Sequence, residues 1–342
     1  MRSTESATIT RPSVRPSRAP SRVVAVGGGR GLPVVLAGLR RWLPADCHIT
    51  AVVTAADDGG SSGVLREQYD VLPPGDIRNC LLALSRVAPE VSAALQYRFD
   101  GVVGPGHPVG NLLLAALDMV TSDELTAIRL AAGLLGVRDL ILPSTTRRIH
   151  LMAELADGRH VRGESKIARG GAAIVQLRVD PPDAVPSPGV LEAIQAADAV
   201  ILGPGSLYTS VLATLAVPGI VQALVEARRP RIFVCNLMTE PGETDGYGVA
   251  AHLHALGVHG LRQDELDYIV VNTGPIPTTI RARYAAEGAE PVKFDIEPGV
   301  ASPRLVVGDF VGASCAVQHN ADRLGRVLAE LLASTGVSES WR

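Results

Sequence analysis

Aromatic residues are scarce: Phe, Trp and Tyr make up 4% of the 342 residues, too few for a surface that stacks on successive bases. No sign of charge dominates, since 32 Lys and Arg face 35 Asp and Glu for a net charge of −3. No overall field therefore draws nucleic acid or an anionic membrane. Basic pairs such as Arg147-Arg148 and Arg228-Arg229 stand alone and read as solvated positions. No apolar run of about 18 residues occurs, so no membrane span is expected. The four cysteines, Cys47, Cys80, Cys235 and Cys315, lie far apart and form no C-x-x-C unit. Without a secretory signal they read as reduced thiols in or near the core of a cytoplasmic protein. His252, His254 and His259 lack a zinc spacing. No Cys, Ser or His set reads as a nucleophilic triad, and no serine is assigned to a Gly-x-Ser-x-Gly elbow.

What is present is ordinary globular material, 46% hydrophobic and 20% charged. The first 20 residues are rich in Arg and Ser and read as a flexible tail. Pro12, Pro16 and Pro20 break any amphipathic helix there, which argues against a transit peptide. Residues 21–342 read as a single α/β domain. Its pattern begins at Arg22, where RVVAVGGGRGLPVVLAGLRRWL is a short apolar strand, a glycine turn and a helix with Leu32, Val35, Leu36 and Leu39 at helical spacing. A second strand, 48–54, follows at β-α-β length, so the pair is expected to be parallel with a right-handed crossover. Strands at 199–202, 231–235 and 267–271 continue the alternation. Helices are expected from about Asp76, from about Asn111 and over about 320–334. Between 149 and 167 the period changes around Asp157-Gly158, which predicts an antiparallel hairpin inserted as a small subdomain. The fold expected is a Rossmann-like, doubly wound, mostly parallel α/β sheet.

The unusual residues fall directly after predicted strands: Gly27, Gly28, Gly29, Arg30 and Gly31; Asp57 and Asp58; Gly203, Pro204, Gly205 and Ser206; Asn236; and Asn272. In a parallel sheet those positions share one edge, where ligands bind at the reversal of strand order. The first loop is neither G-x-G-x-x-G, since Leu32 holds the place of the third glycine, nor a P-loop. It is either an anion site beneath a helix N-terminus or a structural tight turn. In the second loop, Ser206, Thr209 and Ser210 offer hydroxyls to phosphate, with Ser206 alternatively capping its helix. Asp57 and Asp58 either accept sugar hydroxyls, hold a divalent cation such as magnesium against phosphates, or form an Asx turn. Asp76 is a ligand residue or only an N-cap. Arg78, beside Asn79, is a candidate phosphate partner. His107, just before Gly110 and Asn111, is the histidine that most invites a role.

The segments VVAVGGGRGLPVVLAGL, TAADDGGSSGVLR, PPGDIRN, GHPVGNLLLAAL, LGPGSLYTSVLATL and CNLMTEPGETDGY together resemble the YvcK-type gluconeogenesis factor family. That family is related to the 2-phospho-L-lactate transferases of CofD-like fold, and the resemblance runs from about 22 to 335. It implies a cytoplasmic protein, often a homodimer, that binds a UDP-sugar such as UDP-N-acetylglucosamine or UDP-glucose. It further implies roles in cell shape, cell-wall precursor control through other proteins, and growth on gluconeogenic carbon, with no firmly assigned reaction. Carried onto this chain, the site comprises Gly27 to Gly31, Asp57-Asp58, and Gly203 to Ser206 with Tyr208 and Thr209. Tyr284 would stack on the uracil. The alternative the resemblance leaves open is a magnesium-dependent transferase of a phosphate-linked group. Two departures stand out: Arg30 where Thr is expected, and Gln318-His319-Asn320 where Arg-His-Asp is expected, which would weaken the grip on a ligand.

Overall fold

The computed structural model describes residues 20–99, 106–228, 230–296, 303–312 and 317–334. The tail, apart from Pro20, and Cys315 lie outside the described residues. Seven strands form the main sheet: β1 (Arg22–Gly27), β2 (His48–Val53), β3 (Leu140–Pro143), β7 (Ala199–Leu202), β8 (Arg231–Val234), β9 (Tyr268–Asn272) and β10 (Arg304–Gly308). Their order is β10-β9-β8-β7-β1-β2-β3, and every pair is parallel. Three further strands, β4 (His150–Leu155), β5 (His160–Arg162) and β6 (Ile174–Asp180), form an antiparallel sheet in the order β5-β4-β6. The hairpin expected around Asp157-Gly158 is β4–β5. Its partner β6 was not anticipated, although Gly170-Gly171 marks a turn just before it.

Strand order reverses between β1 and β7, so a crevice opens beyond their carboxyl ends. Both neighbours are apolar on both faces, as central parallel strands must be. Val24 and Val26 face one core with Leu202 and the inward side of the small sheet, Leu151, Ala153 and Leu155. Val23 and Ala25 face the other, with Leu32, Leu36 and Leu39. The small sheet thus takes the place of a helix on one face, which brings its loops to the crevice edge.

On the opposite face the helix Gly31–Trp42 lies against the helix Ala321–Ser334. A methyl on Gly38 would overlap the carbonyl oxygen of Ala321 and the Cα of Gly325, and a methyl on Gly325 would overlap the backbone of Gly38. The two backbones touch where side chains would normally hold them apart. Trp42 Nε1 donates to Asp322 Oδ1 at 3.0 Å and clips one end of the pair. Gly38→Ala or Gly325→Ala is expected to destabilise the chain by roughly 1–3 kcal/mol through overpacking. Urea denaturation of each variant measures it, and an unchanged midpoint would contradict the backbone contact.

Candidate functional site

The crevice holds an open cleft of about 440 Å³. Gly29, Arg30 and Gly31 form one wall, with Pro204, Gly205, Ser206 and Thr209 opposite. Asn236, the segment Leu237–Glu240, Glu243, Glu164, Tyr284 and Gln318–His319 complete it. The two glycine loops are pressed together, since a methyl on Gly31 would overlap the carbonyl oxygen of Pro204. Gly29 (φ +60) and Gly203 (φ +70) hold turns that other residues rarely adopt. Gly205 N–H donates to Asn236 Oδ1 at 3.2 Å, which ties the second loop to the end of β8.

Each glycine loop already faces a carboxylate of this chain. Asp76, in the first turn of the helix Pro74–Leu84, accepts the N–H of Gly29 at 2.7 Å. It is therefore not the N-cap of its own helix, a place taken by Pro73. Burial raises its pKa to about 6, against the lowering effect of that hydrogen bond. In the second loop Ser206 donates to Glu243, and Thr209 Oγ1 donates to Glu243 Oε1 at 3.1 Å. Ser206 also caps its helix by accepting Thr209 N–H, the capping alternative expected for it. Burial pushes Glu243 upward, and burial together with Glu243 pushes Glu240 up to about 7. His319 is neutral, burial having lowered its pKa to about 4.

Other candidates sit elsewhere. Tyr208 is buried in the core, its hydroxyl donating to Ile174 O and meeting Tyr247 Oη at 2.9 Å, so the expectation that it faces a ligand is corrected. It lies in the π-helix Leu207–Leu212, every residue of which is buried. Asn272 joins β9 to the segment after β10 by accepting Phe310 N–H at 2.8 Å, and it does not line the cleft. Gly27 and Gly28 lie beneath the loop, where a methyl on Gly28 would strike Thr54 and Asp76. Tyr284 does line the cleft, with its hydroxyl accepting Val317 N–H at 3.1 Å.

Asp57 and Asp58 turn to different partners. Asp57 Oδ1 accepts Gly59 N–H at 2.9 Å, an Asx turn. Asp58 Oδ1 accepts Ser165 N–H at 2.8 Å, while Asp58 N–H donates to Glu164 Oε2 at 3.1 Å. This reciprocal clasp fastens the acidic loop to the small sheet. Glu164 also shares a hydrogen bond with Asp57, and burial followed by Asp57's charge raises its pKa. Any cation here would thus meet Asp57 and Glu164. Among the described residues no group of three or more His, Cys, Asp or Glu is placed to hold a metal ion.

Arg78, Asn79, His107 and Asn111 form a second polar cluster around Ser61, away from the cleft lining. Ser61 was missed, although a signal exists: Gly59-Gly60-Ser61-Ser62-Gly63 has the Gly-x-Ser-x-Gly spacing. The expectation that this spacing is absent is corrected. Glu164, Glu240 and Glu243 were also missed. The last two stand within the CNLMTEPGETDGY segment, but nothing in it tells which acid turns inward.

Asp76 gives a pH signature. A carboxyl whose pKa is higher folded than unfolded loses stability as pH rises through the folded value. Between pH 4 and 7 the wild type is expected to lose roughly 1–3 kcal/mol from this group, at about 1.4 kcal/mol per unit discounted for partial exposure. Asp76→Asn should flatten that part of the stability profile, measured by urea midpoints at both pH values.

The family model described as 2-phospho-L-lactate transferase CofD matches residues 23–308. The gluconeogenesis factor of Halalkalibacterium halodurans is 42% identical over 314 residues, covering 90% of this chain and 95% of that protein. The gluconeogenesis factor of Bacillus subtilis is also 42% identical over 314 residues, covering 91% and 98%. A crystal structure of a UPF0052 family member from Bacillus halodurans superposes with a TM-score of 0.84 at 41% identity, covering 90% of this chain and 98% of that one.

Proposed function

The chain belongs to the CofD family, among its gluconeogenesis factors, and from that premise we propose that it is a regulatory protein that binds a UDP-sugar in the cleft between its two glycine loops. The observation that carries the reading is the mixed character of the cleft. Glycine-loop backbone, Ser206 and Thr209 supply donors suited to phosphate oxygens. Glu164, Glu240 and Glu243 stand in the same space, and carboxyl groups suit the many hydroxyls of a sugar. A bare polyphosphate would meet three acids with Arg30 at the rim, whereas a diphosphate bridging a nucleoside and a sugar satisfies both halves. Tyr284 offers its ring to the uracil. In this reading the bound state reports nucleotide-sugar supply to proteins of cell-wall synthesis and carbon use, with the chain acting as a cytoplasmic homodimer.

Ser206 and Thr209 now hold Glu243, so an incoming phosphate competes with a carboxylate for the same donors. Because Glu240 titrates at about 7 and Glu243 is also raised, protonation at lower pH removes negative charge from the cleft. Affinity for UDP-N-acetylglucosamine is therefore expected to rise from pH 8 to pH 6. Glu243→Gln should bind about tenfold tighter at pH 8, the effect of removing one like charge a few ångströms from the ligand. Isothermal calorimetry against UDP-N-acetylglucosamine, UDP-glucose and GDP checks both. Tight binding of GDP with no heat from either UDP-sugar would sink the proposal.

The contact between Asp57 and Glu164 favours a second reading, a magnesium-dependent transferase of a phosphate-linked group. Those two carboxyls would hold the ion, which would lower the charge on the diphosphate. Asp57→Asn should then abolish the magnesium dependence of GDP binding, and calorimetry with and without the ion separates the two readings.

A further inference from the structure

The polar cluster around Ser61 is not used by the cleft, and its hydrogen bonds run in one direction. Arg78 donates to Asn111 Oδ1. That fixes the amide, so its Nδ2–H points to Ser61 Oγ, 2.9 Å away. Ser61 has one hydroxyl proton, and its other strong contact is His107 Nδ1 at 2.7 Å. With the imidazole neutral and protonated on Nε2, Nδ1 accepts that proton, so the serine is polarised as a nucleophile paired with a base is.

The backbone supports the same assignment. Ser61 lies in the first turn of the helix Gly60–Tyr69, reached from β2 through the loop 54–59, at the carboxyl edge of the sheet. Gly60 takes φ +47, and a methyl on Gly63 would overlap the carbonyl of Asp58. The glycines on either side of Ser61 thus answer the turning and close-packing needs of a strand-to-helix nucleophile turn. The N–H groups of Gly60, Ser61 and Ser62 precede the first bond of the helix, Gly63 N–H to Gly59 O, and have no acceptor inside it, which leaves them as donors for a developing oxyanion. Ser61 is partly exposed while His107 is buried behind it. A substrate can therefore reach the hydroxyl, with Nδ1 of the base 2.7 Å from it.

We propose that Ser61 is a nucleophile activated by His107, and that the chain hydrolyses or transfers a small phosphoester group through a covalent Ser61 intermediate. The guanidinium of Arg78 lies directly behind Asn111, a fixed cation that suits an anionic phosphoryl group better than a neutral acyl ester. In the first step Ser61 Oγ bonds to phosphorus as its proton passes to His107 Nδ1. The bond from phosphorus to the leaving oxygen breaks, and that oxygen takes the proton. Water then attacks phosphorus, giving a proton to the same imidazole. The bond from Oγ to phosphorus breaks, and Oγ recovers the proton. This activity goes beyond UDP-sugar binding and stands without it, since Ser61, Arg78, His107 and Asn111 do not line the cleft.

The test treats the full chain with a fluorophosphonate probe, follows the adduct by intact mass and maps it by peptide sequencing. One adduct on Ser61 is expected, with loss of fluoride. His107→Gln should slow labelling about a hundredfold or more, the range of a lost general base. No adduct, an adduct spread over surface serines and tyrosines, or an unchanged rate in His107→Gln overturns the proposal. Mapping on the unaltered chain decides the matter even if the variant does not fold. Faster turnover of p-nitrophenyl acetate than of bis-p-nitrophenyl phosphate would overturn the assignment to phosphorus.

Discussion

The contact between the two glycine loops governs everything at the crevice. Gly31 comes so close to the carbonyl of Pro204 that no side chain fits between them. That approach is possible because β1 and β7 are hydrogen-bonded neighbours whose chains leave the sheet toward opposite faces. Were the loops a methyl group further apart, the donors of Ser206 and Thr209 would no longer share one space with the Gly29–Gly31 backbone. The cleft is a consequence of strand order, made narrow by glycine.

Carboxylates, not cations, set the electrostatics around this contact. Asp76 grips the first loop, Glu243 the second, and Glu164 the acidic loop. Each is raised in pKa chiefly by burial. The backbone of the glycine loops is thus held in shape by internal carboxyls whose protonated form burial favours. Such groups are costly when charged, and exchanging one for a ligand oxygen replaces an interaction rather than adding to a vacant pocket.

Much of this architecture was legible in the chain. Leu32, Val35, Leu36 and Leu39 gave the first helix its buried face, and the strand-end glycines marked the correct edge. Asp157-Gly158 located the hairpin. The edge strands β3 and β10 were not foreseen, because four or five residues beside a proline or a glycine carry too little periodicity. Within the site, residue type was readable but direction was not. Tyr208 and Thr209 are adjacent in sequence, yet one enters the core and the other lines the cleft. The clasp that Asp58 makes was not readable, since its partner Ser165 lies more than a hundred residues away. Ser61 and His107 meet only through the packing of three separate segments, a juxtaposition that spacing alone does not encode.

The backbone contact between Gly38 and Gly325 joins the first helix to the last one described. During synthesis the first helix therefore emerges nearly three hundred residues before its partner exists. Its Leu32–Leu39 stripe and the central strand beneath it must wait, incompletely covered, while β7 to β10 are made. Such exposed apolar surface is a hazard for nascent chains of this size. The sheet is built from its middle outward, and the chain's first turn of helix is among the last parts to be sealed.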